Sequence, residues 1–398
     1  MDQTAAAETF EAVAYDVVVL GLGGMGSAAA AHLARRRKRV LGLEQFDLGH
    51  ELGASAGRTR IIRKAYFEGP QYVPLLLRAY DLWRELEIQT QTILLDLVGV
   101  LMVGAAGGAM LEGVRLSMQR YGVRIDELGR NDFAKRFPQA RLRSGEIALL
   151  EPDAGVVFPE GGIAAHQQAA RLAGAELRGG VRVTSWRRSS TGTIRVDLAD
   201  GERIETEQLV LCAGPWLAEV AAELELPLVV QRNVQIWFAP ATGAFARGRF
   251  PAFFLERAGL PRPLYGFPDL GDGVKAALHG YGDYTTAASL DRDIHEADIA
   301  AVKSALDPWL PGAAHAFRSG KACMYALTPD EHFIVDRHPR DAGVVIAGGF
   351  SGHGYKFAPA IGEIVADLAD GKARPDSAFL GLARLAKQFE GSRRNEPR

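Results

Sequence analysis

Apolar and polar residues follow two different patterns along this chain. The segments "DVVVL" and "RVLGLE" are short, continuously apolar runs, as expected of strands buried on both faces of a parallel sheet. Between them, "SAAAAHLARR" combines high helix propensity with small residues that allow close packing on a sheet. The same texture returns in "LVLCAGPWL" and in "AGVVIAGGFSGHGY". These segments predict the strand, glycine-rich turn and helix units of an α/β sheet.

A second pattern, of short strands broken by proline and glycine, fills the rest of the chain. It is clearest from about residue 229 to residue 322, in "VVQRNVQIWFAP", "FPAFFLE" and "GVKAALHGY", and it is typical of an antiparallel sheet. Amphipathic helices are predicted in "PQYVPLLLRAYDLWRELE", with Pro74 in the first turn, and in "HEADIAAVKSALDPWL". The alternation predicts a mixed α/β and α+β fold in which two discontinuous domains interleave.

Composition narrows the possible partners. The 398 residues are enough for about two or three domains, 47% of them are apolar, and the formal net charge is −2. This balance favours a small-molecule ligand over nucleic acid or a membrane surface. The acidic N-terminus lacks the basic segment of a signal peptide, and no apolar run resembles a membrane span. With only two cysteines in the chain, a reducing, cytoplasmic setting is the simplest expectation.

The chain has two cysteines, Cys212 and Cys323, which give neither a disulfide framework nor a metal-binding spacing. No metal site is predicted. Cys212 lies in an apolar run and is interpreted as a buried core thiol. Cys323, in "GKACMYALTPDEHF", has two interpretations, a small buried residue or a reactive attachment point.

The segment "GLGGMG" places Gly21, Gly23 and Gly26 in G-x-G-x-x-G spacing, directly after a predicted strand and at the start of a predicted helix. Glycines at these positions allow a tight turn and let a pyrophosphate approach the helix N-terminus. Glu44 ends the next strand about twenty residues on, where a carboxylate binds ribose hydroxyls. It would repel a 2′-phosphate, which favours FAD or NAD over NADP. The alternative is a turn that needs glycine for packing only.

The segment "GRTRIIRKAY" carries four cations within seven residues: Arg58, Arg60, Arg63 and Lys64. A solvated basic face is the simplest interpretation. The two intervening isoleucines indicate instead an extended, partly buried segment. Arg60 and Arg63 cannot then both be buried unless an anion meets them, since an unpaired buried charge costs several kcal/mol.

Two further pairs of cationic or titratable residues stand out. In "GVKAALHGY", Lys275 and His279 share a face of a predicted strand, although a lone histidine on a strand is usually structural. In "GGFSGHGYKFAPAIGE", His353 and Lys356 lie near a helix start, where a cation is unfavourable unless an anionic ligand is close. The alternative is that Lys356 points to water.

Several longer segments are specific to a known family. The segments "TRIIRKAY", "YVPLLLRAYDLW", "ACMYALTPDEHFIVD" and "GFSGHGYKF" resemble the monomeric sarcosine oxidase family, which includes N-methyltryptophan and L-pipecolate oxidases, among the D-amino-acid-oxidase-like flavoproteins. The resemblance runs from about Tyr15 to Leu385. It implies a Rossmann-like FAD-binding domain interleaved with an antiparallel-sheet substrate domain. The predicted ranges are 1–95, 156–227 and 330–392 for the first domain, 96–155 and 228–329 for the second, and 393–398 for a tail.

The resemblance also implies roles for individual residues. FAD is expected to be attached covalently, through its 8α-methyl group, to Cys323. The predicted cofactor-binding residues are Gly21, Gly23, Gly26, Glu44, Thr59, Arg60, Val183, Gly214, Cys323, Gly352, Gly354 and Lys356. The predicted catalytic residues are Lys275, as the site of oxygen activation, with Arg60, His279 and Tyr265. The predicted substrate-binding residues are Arg63 and Lys356, for a carboxylate, with Tyr265 and Phe254.

The implied activity is oxidation of a secondary amino acid, N-methylated or cyclic, such as sarcosine, by FAD and O₂ to an imine that hydrolyses, with release of H₂O₂ by a monomeric enzyme. An oxidase of L-pipecolate, L-proline or N-methyltryptophan is the nearest alternative. A dehydrogenase with a protein acceptor would leave Lys275 without a purpose, an NAD-dependent dehydrogenase would not explain Cys323, and the intact set of Lys275, Arg63 and Lys356 argues against a non-catalytic flavin-binding module. Two departures from the family pattern stand out. Ser55 and Ala56 replace a pair of histidines usual in sarcosine oxidases, which alters the expected surroundings of one flavin face and is nearer to the pipecolate type. Phe254 occupies a pocket position often held by Met or Thr, which reshapes the expected substrate cavity and leaves the exact amine open.

Overall fold

A computed structural model describes residues 15–385, which form two large sheets, one small sheet and the helices that pack on them. The predicted tail, 393–398, and the outer ends of the predicted FAD-binding segments lie outside the described residues. The strands are β1 Tyr15–Leu20, β2 Val40–Leu43, β3 Arg60–Ile62, β4 Leu95–Asp96, β5 Val100–Ala105, β6 Asp126–Leu128, β7 Glu146–Glu151, β8 Gly155–Val157, β9 Glu176–Arg178, β10 Val183–Arg188, β11 Ile194–Leu198, β12 Arg203–Leu211, β13 Val229–Ala239, β14 Ala252–Leu255, β15 Leu264–Phe267, β16 Val274–Leu278, β17 Tyr284–Thr285, β18 Ala316–Leu327, β19 Ile334–His338 and β20 Asp341–Gly348. The α-helices are α1 Gly24–Arg35, α2 Val73–Thr90, α3 Ala109–Tyr121, α4 Arg130–Arg136, α5 Pro159–Leu172, α6 Leu217–Val220, α7 Glu296–Leu306 and α8 Ala358–Ala369.

The first large sheet has a parallel centre. Its strands follow the order β10-β11-β12-β1-β2-β9, with β20 beside β12 and β19 beyond it. Strands β9, β2, β1, β12 and β20 are parallel, while β10, β11 and β19 add antiparallel pairs at its edges. Helix α1 packs against α5 and α8, and an added Cβ on Gly362 would lie 2.6 Å from the backbone of Ala28. The small residues of α1 therefore permit the close packing that the sequence predicts.

The second large sheet is antiparallel except where β14 runs parallel to β5. Its order is β17-β13-β16-β15-β14-β5-β7-β6, with β18 paired along the length of β13. Every strand of the first sheet falls within the predicted FAD-binding ranges, and every strand of the second within the predicted substrate-domain ranges. The mixed fold class is confirmed by this architecture, and we propose that the domain division follows the two sheets.

In the small sheet, ordered β3-β8-β4, strands β4 and β8 cross the predicted boundaries at 95/96 and 155/156, whereas β3 lies inside the first predicted range and forms the middle of the arginine-rich segment. Helix α2 forms as predicted, with Pro74 in its first turn. The helix predicted after β12 is only a single turn, α6. Leu217 and Ala221 are the buried residues there, and two apolar residues do not form a face long enough to pack a longer helix on the sheet. Within residues 15–385, no helix has the length and apolarity needed to cross a bilayer.

Candidate cofactor and substrate site

The three glycines of the turn between β1 and α1 differ in how much space surrounds them. Gly21 has φ +88°, and a Cβ there would lie 2.5 Å from the carbonyl oxygen of Cys212. A Cβ on Gly26 would lie 1.8 Å from the carbonyl oxygen of Gly21, so packing alone requires glycine at both positions. Gly23, in contrast, has no neighbour within 4 Å of an added Cβ. Packing does not explain Gly23, whereas close approach of a ligand to the turn does.

Glu44, directly after β2, is a buried carboxylate that supports this turn. Its Oε2 accepts a hydrogen bond from the Leu22 amide at 2.9 Å, and its Oε1 accepts one from the Phe46 amide at 3.2 Å. Burial opposes ionisation, but the contact with His50 and the two amide bonds outweigh it and lower the pKa of Glu44. A charged carboxylate with free lone pairs can accept ribose hydroxyls and repels a phosphate, as the sequence predicts.

A continuous cavity of about 1070 Å³ runs from the glycine turn to the arginine-rich segment. It exceeds the range of about 300–1,000 Å³ of ordinary small-molecule pockets, which suits a dinucleotide together with a small substrate. Gly26, Thr59, Lys275 and Cys323 are not part of its lining. The predicted residues that line it are Gly21, Gly23, Glu44, Arg60, Arg63, Val183, Gly214, Phe254, Tyr265, His279, Gly352, Gly354 and Lys356.

Arg63 is buried and has the anionic partner that its burial requires. Its side chain is 4% exposed, and its Nη2 donates to both carboxylate oxygens of Glu68 at 2.6 Å. Its Nη1 donates to the carbonyl oxygen of Ala65 at 2.6 Å, and the guanidinium lies 4.5 Å from the ring centroid of Tyr66 and 4.1 Å from that of Phe67. The interpretation of this arginine as part of a solvated face is wrong.

Lys356 shares this end of the cavity with Arg63. Its Nζ donates to the carbonyl oxygen of His353 at 2.6 Å and lies 5.1 Å from the ring centroid of Tyr66, on which Arg63 also packs. Burial, and then the nearby Arg63, lower the pKa of Lys356 to about 7, against the opposing effect of Glu68. The alternative in which Lys356 points to water is wrong. Two buried cations therefore converge on one place at the cavity wall.

The pKa of Lys356 gives a testable pH dependence. As the pH rises through about 7, Lys356 loses its proton and the site loses one positive charge, so a bound carboxylate is held less tightly. We expect the affinity of the flavin-loaded protein for acetate, followed by flavin absorbance, to fall several-fold between about pH 6 and about pH 9. A Lys356→Arg variant stays charged and should lose this pH dependence. An unchanged profile in that variant would assign the titration to another group.

Glu68 is a site residue that the sequence analysis missed. Burial alone would raise the pKa of Glu68, but Arg63 above all, with His353 and Lys356, lowers it to about 2. The only sequence signal was its position five residues after an arginine that required an anion. Its carboxylate shows that Arg63 binds a carboxylate at this end of the cavity, with Lys356 close enough to lower its pKa further.

Aromatic side chains from the second sheet line the cavity opposite these cations. Phe254 and Tyr265 are paired across β14 and β15, and the Phe254 ring lies 5.0 Å from that of Phe67 and 5.9 Å from that of His279. His279 lies just beyond the end of β16, and its Nδ1 is 3.2 Å from the Tyr325 hydroxyl. Burial lowers the pKa of His279 to about 4, so the ring is neutral at ordinary pH.

Lys275 is enclosed behind the cavity wall. It is 2% exposed, and its Nζ donates to the carbonyl oxygens of Gly57 and Thr59 at 2.6 and 3.0 Å and to the Thr59 hydroxyl at 3.0 Å. The ammonium also lies 5.0 Å from the centroid of the Trp237 ring. Burial, and then Arg60, hold the pKa of Lys275 well below its usual value. Its acceptors are thus two carbonyls and a hydroxyl, with no carboxylate among them.

Arg60 reaches the cavity from β3, but its guanidinium binds backbone. Its Nη2 donates to the carbonyl oxygens of Ala56 and Ala54 at 2.6 and 3.2 Å, and its Nη1 to that of Thr59 at 2.8 Å. Ser55 and Ala56, the departures from the histidine pair, line the cavity here. Carbonyl dipoles therefore stabilise Arg60, which explains how it remains half buried without an anion.

The two cysteines have different surroundings. Cys323 is 1% exposed in the middle of β18, opposite Asn233, and its sulfur lies 3.2 Å from the Nε2 of Gln235. Its neighbours Met324 and Tyr325 line the cavity. Cys212 is buried against the glycine turn, and burial raises the pKa of its thiol to about 12. Cys212 is thus an unreactive, packed thiol, as its apolar surroundings predict.

Comparisons with known proteins agree with this geometry. Residues 16–368 match the family model of the FAD dependent oxidoreductases. The chain is 40% identical over 361 residues to the monomeric sarcosine oxidase of Streptomyces avermitilis, an alignment that covers 89% of this chain and 93% of that protein. It is 34% identical over 377 residues to the N-methyl-L-tryptophan oxidase of Yersinia pestis, covering 93% and 99% of the two chains.

Solved structures agree as well. The structure of NikD, an unusual amino acid oxidase essential for nikkomycin biosynthesis, superposes with a TM-score of 0.81 at 26% identity, over 92% of this chain and 97% of that one. The resemblance read from the sequence motifs is confirmed. The chain therefore belongs to the FAD-dependent oxidoreductase family, and within that family it is an amine or amino-acid oxidase.

Proposed function

We propose that this enzyme oxidises secondary amino acids, N-methylated or cyclic, such as sarcosine, with O₂ as electron acceptor and H₂O₂ as product. The observation that carries the proposal is the convergence of Arg63 and Lys356 at one end of a dinucleotide-sized cavity. Two fixed cations bind a carboxylate and so orient the carbon next to it. The names of the two relatives, a sarcosine oxidase and an N-methyl-L-tryptophan oxidase, support a secondary amine as substrate.

The residues present fit FAD at the other end of the cavity. The open face of Gly23 and the charged Glu44 suit the pyrophosphate and ribose of a dinucleotide without a 2′-phosphate. When bound, FAD supplies the two-electron acceptor that takes hydride from the carbon beside the amine and passes the electrons to O₂. We propose that Val183, Gly214, Gly352 and Gly354 complete its site, and that Cys323 attaches it covalently.

The surroundings of the substrate favour its neutral amine. Arg63 and Lys356 disfavour a second positive charge nearby, and Glu68, the anion at this end of the cavity, is already paired with Arg63. Loss of hydride requires the free lone pair of the nitrogen, so this preference assists the reaction. Neutral His279 and the Tyr265 hydroxyl can hydrogen bond to the amine without changing the charge of the site.

Arg63 gives a prediction for substrate binding. We expect Arg63→Met to raise KM by about 100-fold, because the variant loses a buried, charge-assisted contact to the carboxylate. Arg257→Met is the matched control, since Arg257 also forms a buried pair, with Glu146 at 2.6 Å, but does not line the cavity. The control should lose thermal stability and keep its KM. Equal changes of KM in both variants would contradict the role of Arg63.

The substrate class is tested by H₂O₂ release from the flavin-loaded enzyme with sarcosine, N-methyl-L-tryptophan, L-proline and L-pipecolate. We expect at least one of the four to be oxidised, with one peroxide per amine. If one of the four amines reduced a dye without releasing peroxide, the enzyme would be a dehydrogenase and not an oxidase. No reaction with any of them would refute the secondary-amine proposal.

We also propose that the enzyme acts as a cytoplasmic monomer. The word monomeric in its relative's name and the lack of a cysteine framework support this proposal.

A further inference from the structure

The segment from Gly57 to Ala65 carries Arg60 and Arg63 and holds the ammonium of Lys275, and a carboxylate holds its first end. A single oxygen of Glu160, Oε1, accepts hydrogen bonds from the backbone amides of Gly57 at 2.7 Å and Arg58 at 2.9 Å. Glu160 lies in the first turn of α5, in a distant part of the sequence, and lines the cavity. The carboxylate therefore fixes the backbone of this segment from outside it.

The backbone at this end is in an unusual conformation. Gly57 has φ +123° and Arg58 has φ +65°, which is costly for a residue with a side chain. A tight turn can direct consecutive backbone amides toward one anion, and Glu160 supplies that anion here. The Gly57 carbonyl on this same turn, with the carbonyl and hydroxyl of Thr59, holds the ammonium of Lys275. The geometry of Glu160 thus sets the position of the acceptors of Lys275.

A second carboxylate holds the other end of the segment. Glu151 is fully buried at the end of β7, and its Oε1 and Oε2 accept from the amides of Lys64 at 2.8 Å and Ala65 at 2.9 Å. Burial raises the pKa of Glu151, although the two amide bonds favour its charged form. The carbonyl of Ala65 accepts from Nη1 of Arg63 at 2.6 Å. Glu151 thus fixes the peptide against which Arg63 is oriented.

We propose that Glu160 and Glu151 are positioning residues that serve the two halves of the reaction separately. Glu160 acts through the segment on Lys275, the proposed oxygen site, and Glu151 acts on Arg63, the proposed carboxylate site. This inference rests on the proposed function. Neither carboxylate contacts the cation it serves through a salt bridge, so each works through backbone that it holds in place.

The two carboxylates differ in how they bind, and this difference predicts opposite responses to glutamine. Glu160 uses one oxygen for both amides, so Glu160→Gln can keep both hydrogen bonds through its own Oε1. Glu151 uses both oxygens, so Glu151→Gln must place an NH₂ group against an amide N–H. Glutamine should therefore be mild at position 160 and disruptive at position 151, whereas Glu160→Ala should be disruptive.

The kinetic test separates the two half-reactions in the flavin-loaded enzyme. After reduction by dithionite, we expect reoxidation by O₂ to be about tenfold slower in Glu160→Ala, nearly normal in Glu160→Gln and normal in Glu151→Gln. The dissociation constant of acetate, measured by flavin absorbance, should rise about tenfold in Glu151→Gln and stay unchanged in both Glu160 variants. Equal effects of the two positions on both measurements would overturn the proposal.

A control variant and a double-mutant cycle, both followed by Tm, distinguish a positioning role from general destabilisation. Glu87 also accepts two consecutive amides, those of Leu94 and Leu95 at 2.8 and 2.9 Å, through one oxygen and away from the cavity lining. Glu87→Ala should lower the Tm without changing reoxidation or acetate binding. Combined with Lys275→Met, Glu160→Ala should lower the Tm by less than the sum of the separate falls, since both changes act on one network.

Strictly additive Tm changes would refute the link between Glu160 and Lys275. Neither the cycle, the dithionite experiment nor acetate binding requires turnover of an amine. A failure of the substrate panel therefore overturns the proposed function alone, while a failure of these measurements overturns the positioning roles alone.

Discussion

Replacing Cys323 with alanine should release all flavin from the acid-precipitated protein, whereas the unmodified protein should keep its yellow colour in the pellet. Cys323 is 1% exposed and lies on a strand whose next two residues line the cavity. The side-chain amide of Gln235 lies 3.2 Å from its sulfur and can stabilise negative charge there. A thiolate is the form that would bond to the flavin methyl carbon; that carbon would lose a proton, and the two electrons released would pass to the flavin ring and then to O₂. The measurement is the flavin absorbance of the pellet and the supernatant.

The chain offers a matched control for this experiment in its other cysteine. Cys212→Ala should keep the flavin in the pellet. Cys212 packs against the glycine turn, and its burial raises the pKa of its thiol to about 12, so it is not the attachment point. Flavin that stays in the pellet of the Cys323 variant would place the attachment elsewhere. Flavin in the supernatant of the unmodified protein would refute covalent attachment while leaving FAD binding intact.

The second large effect is expected at Lys275. Lys275→Met should slow reoxidation of the reduced enzyme by O₂ by about 100-fold or more and leave flavin reduction by substrate largely unchanged. The reason is that a fixed ammonium stabilises the negative charge that develops on oxygen, and removal of one such preorganised group typically costs about 10²–10³ in rate. The bonds to Gly57 and Thr59 preorganise the ammonium. Stopped-flow absorbance follows each half-reaction separately.

Lys356→Met should affect the other half-reaction, flavin reduction by substrate, because Lys356 lies at the carboxylate end of the cavity. We expect weaker substrate binding and slower reduction, with reoxidation unchanged. Equal losses in both half-reactions of the Lys275 variant would contradict an oxygen site. The same pattern of losses in both lysine variants would indicate a shared structural role.

Local sequence signals were sufficient for the cofactor end of the site. The strand, glycine turn and helix around Gly21, and Glu44 after the next strand, are set by residues close together in the chain, so spacing alone predicts them. The requirement that a buried arginine meet an anion was also correct for Arg63. The anion in the structure is Glu68, which is close in sequence but stands in no pattern that predicts a role for it.

The supports of the site could not be predicted in this way. Glu160 reaches Gly57 across 103 residues, and Lys275 reaches it across 218, so no spacing in the sequence relates them. The enclosure of Lys275 behind the cavity wall depends on three acceptors that share one irregular backbone turn. Carboxylates that bind backbone amides leave no pattern, because any residue except proline supplies the amide.

The pairing of Phe254 with Tyr265 on neighbouring strands has a consequence for how such enzymes diverge. Both side chains face the cavity from the antiparallel sheet, while Arg63 and the acceptors of Lys275 belong to the Gly57–Ala65 segment and Lys356 follows β20. Mutations that alter side-chain volume at 254 can therefore change which amine is accepted without removing the cations proposed to bind its carboxylate or to act on oxygen. A duplicated gene could acquire a new substrate in one or two steps and inherit its redox chemistry intact.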